Sequence, residues 1–475
     1  MMKITVNNFK AITSPFTIDL KGINIIAGQN SGGKSSLIHS LLFLKQNIEN
    51  INDNEYLKFN EPYLSLGKFS DIASNNKNDG KIDFIFEVDL NQNQSTKNKN
   101  QNQNHSKNEQ NITCHIRLCN ARQNYRVYKQ YIDFVKISLN KNEELCINRT
   151  KGNNYIVSCT PEFTKHIISP LYRQKSKPLP TSFKTKINAG NLSLNLLILE
   201  HKGDYFRSYL IDKMSREIRQ AFKKLYYIGP LRESPRNYYF FEDNISSQVG
   251  IRGEFTPQHL ASNSDKECTY FKVMGDGSIA ESETHETLFE ATKYWVCEHF
   301  KLGKNLTFDN DKSGVLHRIT LESNVSTHKS SINNVGFGVS QILPIIVQCM
   351  SMDKGGIIIL EQPEIHLHPT AQAKLFDFIN AINKSSKSVI VETHSDHLVT
   401  RLRRRVAEST GNLAEQIKLT FVENDEPTQS SIYKTLLIDE LGNFDSWPKG
   451  FFDQYDTEIR SILLAQIHKK KNNNN

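Results

Sequence analysis

One stretch constrains the fold of this chain more than any other: Gly28-Gln29-Asn30-Ser31-Gly32-Gly33-Lys34-Ser35. It fits the pattern G-x-x-x-x-G-K-[ST], and its flanks supply the context that pattern needs. Ile23-Asn24-Ile25-Ile26-Ala27 precedes it, short and rich in isoleucine, and reads as a buried parallel strand. Ser36 to Leu44 follows and reads as a helix. Strand, glycine loop and helix in that order make a phosphate cradle. Gly28, Gly32 and Gly33 let the backbone turn tightly, so that N–H groups point at phosphate oxygens. The helix N-terminus adds partial positive charge. Lys34 is expected to reach the β- and γ-phosphates of ATP, and the Ser35 hydroxyl to bind Mg²⁺. Asn30, Ser31 and Ser36 complete the expected binding loop.

Such a loop works with an acid at the end of a neighbouring strand. Gly355-Gly356-Ile357-Ile358-Ile359-Leu360-Glu361 provides one: four apolar residues for a buried strand, then Glu361 at the edge where open α/β sheets bind ligands. Glu361 joins Ser35 as a candidate Mg²⁺ ligand. Gln362-Pro363-Glu364-Ile365-His366-Leu367-His368-Pro369 follows directly. Ser388-Val389-Ile390-Val391-Glu392-Thr393-His394-Ser395 gives a further buried strand that ends in Thr-His-Ser, where His394 can sense or polarise the γ-phosphate. Upstream, Val335-Gly336-Phe337-Gly338-Val339-Ser340-Gln341 opens an apolar helix with two glycines and a serine, a second anion-ready helix N-terminus. One ATP already has its P-loop, so Gly338 and Ser340 are expected to serve an ATP held by another subunit.

In this order of motifs the chain resembles the ABC-type ATPases of the structural-maintenance, Rad-fifty and OLD group. More narrowly, it is similar to the AAA-family ATPases of bacterial anti-phage defence systems, Septu-like or retron-associated. The resemblance is carried by Gly28 to Ser35, Tyr227-Ile228-Gly229-Pro230-Leu231-Arg232, Val249 to Glu254, Val335 to Gln341, Glu361 to Pro369, Thr393-His394-Ser395 and Trp447 to Asp453. It implies an α/β fold: an ABC-ATPase head with a parallel or mixed P-loop sheet, an antiparallel β lobe and a helical insertion. It also implies ATP sandwiched between two heads in a homodimer or higher even oligomer. Gly28–Ser35, Glu361 and His394 would bind in cis, and Gly338 and Ser340 in trans, with Arg232 and Arg236 near the head interface.

One departure bears on catalysis. ABC-type heads carry Asp-Glu at the end of the acidic strand; here the pair is Glu361-Gln362. Gln362 cannot accept a proton and can only orient water, while Glu364 is the alternative base. The expectation is a slow ATPase that uses ATP chiefly as a clamp. No glutamine of the usual Q-loop is assignable, Gln46 being a poor candidate at the end of the P-loop helix.

The rest of the chain bounds the reading. Residues 1–90 hold the first part of the head. Residues 91–111, almost all Asn, Gln, Lys and Ser, read as a disordered surface insert. Residues 112–225 alternate as an antiparallel meander and then show helical spacing from Leu192 to Leu225, while Arg173 to Lys186 reads as a loop. Residues 226–475 complete the head, with Glu281 to Phe300 expected as a helix. Seven scattered cysteines with no C-x-x-C pair suggest reduced thiols in a cytoplasmic protein. No apolar run approaches the ~18 residues of a membrane span. No HNH-like or Toprim-like cluster follows His394, so an effector, a nuclease or toxin, is expected on a separate subunit. The net charge of +8 admits DNA as a partner. Two other functions compete: a DNA-repair clamp of the Rec-F kind acting through Arg401-Leu402-Arg403-Arg404-Arg405, and an ATP-locked scaffold that does not hydrolyse.

Overall fold

A computed structural model of the chain describes residues 2–49, 57–74, 80–90, 111–124, 127–140, 142–151, 154–165, 167–168, 181–186, 199–201, 204–236, 239–240, 248–310, 316–324, 329–425, 430–448 and 454–473. The insert expected at 91–111 lies outside these residues except for Asn111, which opens a strand.

At the centre stands a six-stranded sheet in the order Leu225–Ile228, Ile357–Glu361, Ser388–Glu392, Ile23–Gly28, Ile417–Asp425 and Ser430–Leu436. Its first five strands run parallel, and the last returns antiparallel as a hairpin partner. The near-continuous apolar runs in these strands follow from their position, because both faces of the sheet are covered. Alternation decides which side chain meets which layer. Ile26, Ile357 and Ile359 point to one core, which they share with the P-loop helix Lys34–Ile48. Ile23, Ile25, Ile358 and Leu360 point to the other, shared with the helices Phe337–Ser351, Pro369–Lys384 and Asp396–Glu408.

The first core continues into an eight-stranded antiparallel sheet, whose order runs Ser182–Lys186, Asn154–Cys159, Glu143–Lys151, Val127–Asn140, Asn111–Asn124, Lys81–Asp89, Met2–Asn7 and Phe16–Asp19. The class is the expected α/β one: a mixed P-loop sheet, parallel but for one edge strand, joined to an antiparallel β lobe. No described helix is long and apolar enough to cross a membrane.

Three elements differ from the sequence reading. Leu192 to Leu225 is not helical throughout: among its described residues, strands Leu199–His201 and Asp204–Ser208 precede a helix confined to Tyr209–Lys223. Ser208 sets that start, its hydroxyl accepting from the Ile211 N–H. The basic stretch ending at Lys186 closes in a strand rather than a loop. Phe183 and Thr185 are buried in it while Ser182 and Lys184 are exposed, an alternation that its lysines obscure. In Glu281 to Phe300, Thr284–Thr287 is a strand, and the helix begins at Leu288, capped by Thr287.

Candidate functional site

The P-loop is shaped by its neighbours. Gly28 has φ 143°, and a Cβ there would come within 2.0 Å of the Val422 carbonyl oxygen, so only glycine lets the two backbones approach. At Gly33 φ is 92°, and a Cβ would fall 2.4 Å from Ser431 Oγ. The hairpin Ile417–Leu436 therefore braces the loop: the Gln29 N–H donates to Val422 O at 3.2 Å, and the Tyr433 hydroxyl donates to Gly33 O at 2.7 Å. The helix that starts at Lys34 has no side-chain cap. Its first-turn N–H groups suit an anion. Lys34 is buried, and its Nζ donates to the Gly28 carbonyl at 3.0 Å and to the Gln29 carbonyl, folding back over its own loop.

A cavity of about 640 Å³ opens over this loop, lined among others by Lys34, Ser35, Gln362, Glu392 and His394. It lies at the C-terminal edge of the parallel strands. A larger cavity of about 890 Å³ lies at the opposite edge, beside Gly22, Ile357 and Ser388. Position decides between them, because phosphate-binding loops stand at C-terminal strand ends.

Strand register creates the acidic side of the site. Glu361 and Glu392 are paired residues of adjacent parallel strands, each at its strand's end. The Ser35 hydroxyl donates to Glu392 Oε1 at 3.1 Å. Glu361 is buried and does not line the cavity; its Oε1 accepts from the Tyr227 hydroxyl at 3.2 Å. Burial, reinforced by the Glu392 charge, pushes the Glu361 carboxyl up to about 7. Burial raises Glu392 as well, against the pull of Ser35 and Lys34. The next residue, Gln362, sits at φ 45° with its N–H donating to Glu392 O at 2.8 Å. Arg232 fixes the turn from behind, its Nη2 donating to Glu361 O at 2.9 Å and its Nη1 to Gln362 O at 3.2 Å.

Glu364 is buried too, and its Oε1 accepts the His394 N–H at 2.6 Å. This bond ties the Gln-Pro-Glu turn to the Thr-His-Ser loop. His394 is exposed at the cavity, and burial of its surroundings and the Lys34 charge hold its imidazole below the usual range.

Gly338 and Ser340 stand elsewhere. They belong to the start of the helix Phe337–Ser351 and do not line the P-loop cavity. Gly338 packs near the His366 carbonyl, and at Gly336 a Cβ would meet nothing within 4 Å. Asn30, Ser31, Gly32, Gly33 and Ser36 do line the cavity. Gln46 does not serve it; it is buried and donates to Lys58 O at 2.7 Å.

Glu392, His39 and Lys10 are among the cavity residues that the sequence reading does not place. Glu392 closes an apolar run just as Glu361 does, and that repetition was its signal. His39 stands four residues after Ser35, on the same helix face. Lys10 donates to His39 Nδ1 at 3.0 Å from the turn after the first strand. Burial and the Lys10 charge hold His39 down at about 4, so it stays neutral and accepts this bond.

Fold and site together define a P-loop ATPase domain. The chain belongs to the AAA ATPase domain family, which residues 1–399 match. Residues 414–462 match a second family, described as a protein of unknown function (DUF3696). No curated protein matches the chain. Among solved structures, an SMC head bound to the C-winged helix domain of ScpA is similar at 10% identity, over 92% of this chain and 98% of that one, with a TM-score of 0.42. The SMC head domain from Thermotoga maritima is similar at 10% identity, over 91% and 97%, with a TM-score of 0.34. An Smc head domain with an extended coiled coil, bound to the C-terminal domain of ScpA derived from Pyrococcus furiosus, is similar at 12% identity, over 92% and 97%, with a TM-score of 0.37.

Proposed function

We propose that this chain is an ATP-binding head that closes on a second copy of itself around ATP, hydrolyses that ATP slowly, and by closing controls a separate effector. One observation carries the reading. Lys34, Ser35, Gln362, Glu392 and His394 gather at one cavity, while Gly338 and Ser340 are outside it. A helix N-terminus open at Gly336 is suited to receive the γ-phosphate of an ATP held by another head.

The donor set fits a hard divalent cation. Ser35 and the acidic strand ends offer oxygen ligands, and Glu392 Oε2 is buried without a partner. Bound there, the cation would neutralise charge on the phosphates. Lys34 would leave its loop carbonyls for the phosphates. Gln362 would orient water without taking its proton, and Glu364 would hold the His394 loop in place. A site without a free carboxylate at position 362 suits slow turnover and a clamp. The motif resemblance extends the proposal to anti-phage defence, with a nuclease or toxin as the effector.

The DNA-clamp alternative has less to stand on. Arg401 and Arg405 both bond Asp377 at 2.7 Å, Arg404 bonds Glu408 at 2.7 Å, and Arg403 donates to Gly442 O at 2.7 Å. The basic run is thus committed within the fold.

Light scattering tests the clamp. With ATP and Mg²⁺ the 54.5 kDa chain is expected to double in mass. Gly336→Glu is expected to bind ATP normally yet stay single. The position has open space, an acid is well tolerated at a helix N-terminus, and its charge would repel the partner's phosphate. Doubling by this variant would contradict the proposal.

A further inference from the structure

The structure points to a cation ligand that differs from the sequence expectation: we propose that Glu392, rather than Glu361, holds the divalent cation together with Ser35. The proposal rests on the ATP-binding reading above.

Three observations support it. The Ser35 hydroxyl already donates to Glu392 Oε1 at 3.1 Å, which puts the two oxygens side by side at the phosphate loop. Glu392 is 3% exposed, lines the cavity, and leaves its Oε2 without a hydrogen-bond partner. A buried carboxylate oxygen without a donor is costly, and a cation in the cavity would satisfy it. Glu361 differs in position. It lies off the cavity, and its Oε1 accepts from the Tyr227 hydroxyl.

The strand pairing explains how the duty could move. Glu361 and Glu392 are partners in parallel register, so both acids end at one sheet edge. The Ser388–Glu392 strand lies directly beside the P-loop strand, whereas Ile357–Glu361 is one strand further away. The nearer acid meets the P-loop serine.

The test compares affinity for a fluorescent ATP analogue in Mg²⁺ and in EDTA. Wild-type protein is expected to bind at least ~10-fold more tightly with Mg²⁺, the scale of one charge-assisted contact. In Glu392→Gln the EDTA affinity should persist and the Mg²⁺ gain should vanish. Glu361→Gln should keep the gain. A second variant guards against a misfolded first one: with a thiolate ligand in Glu392→Cys, Cd²⁺ should tighten binding and Mg²⁺ should not. A Glu392→Gln protein that keeps the full Mg²⁺ gain, or a Glu392→Cys protein that still prefers Mg²⁺, overturns the assignment. Wild-type protein that binds the analogue in neither buffer overturns the ATP-binding reading itself, and the assignment with it.

Discussion

Lys34→Ala is expected to lower ATP affinity by ~100-fold or more, a loss readable by calorimetry, while the fold survives. The magnitude follows from what the ammonium would do. A hydrogen bond to a charged group contributes about 1.5–3 kcal/mol, and Lys34 is expected to reach two phosphates. Without ATP it donates to the Gly28 and Gln29 carbonyls. Those bonds hold the loop, but burial works against the charged form and lowers the Lys34 pKa. Gain and cost offset each other in the empty protein, so alanine should change stability much less than binding. A variant that keeps wild-type affinity would remove the P-loop from the site.

Arg232→Ala should have the largest effect on stability, about 3–5 kcal/mol, the range for removing one partner from a buried charged cluster. Arg232 is 6% exposed and donates to two carbonyls of one turn. Its charge also faces Glu361 and Glu364, both buried. Alanine would leave these carbonyls and carboxylates without their donor and counter-charge. Gln362, held at φ 45° by the same turn, would lose its position, so turnover should fall as well. Lysine restores the charge but cannot fork to two carbonyls, and Arg232→Lys should recover only part of the loss. Urea unfolding midpoints check both variants; an Arg232→Ala midpoint within error of wild type would show that the turn holds itself.

What the sequence made legible was local. The P-loop, the acidic strand and the Thr-His-Ser strand each carry their signal within ten residues, and each forms the expected kind of element. What it hid depends on pairing between distant segments. Glu392 looked like a lead-in to His394 until the register set it beside Glu361. Arg232 stood in a recognisable loop, but its burial under the Glu361–Gln362 turn spans 130 residues of sequence. The run Arg401 to Arg405 suggests a DNA contact in sequence because Asp377, which pairs with Arg401 and Arg405, sits on the preceding helix. Lys10 joined the site only when the first turn folded over the P-loop helix.

The central claim is that one ATP joins two heads, with Lys34 from one and the Gly336–Ser340 helix start from the other. Mixing Lys34→Ala with Gly336→Glu chains tests this most directly. Neither variant alone should pair in ATP and Mg²⁺, since each spoils both sites of a homodimer. The mixture retains one whole site, built from Lys34 of the Gly336→Glu chain and Gly336 of the Lys34→Ala chain. Distinguishable tags should therefore report mixed pairs that dissolve when ATP is removed. A mixture that stays single, or Lys34→Ala chains that pair by themselves, would contradict the claim.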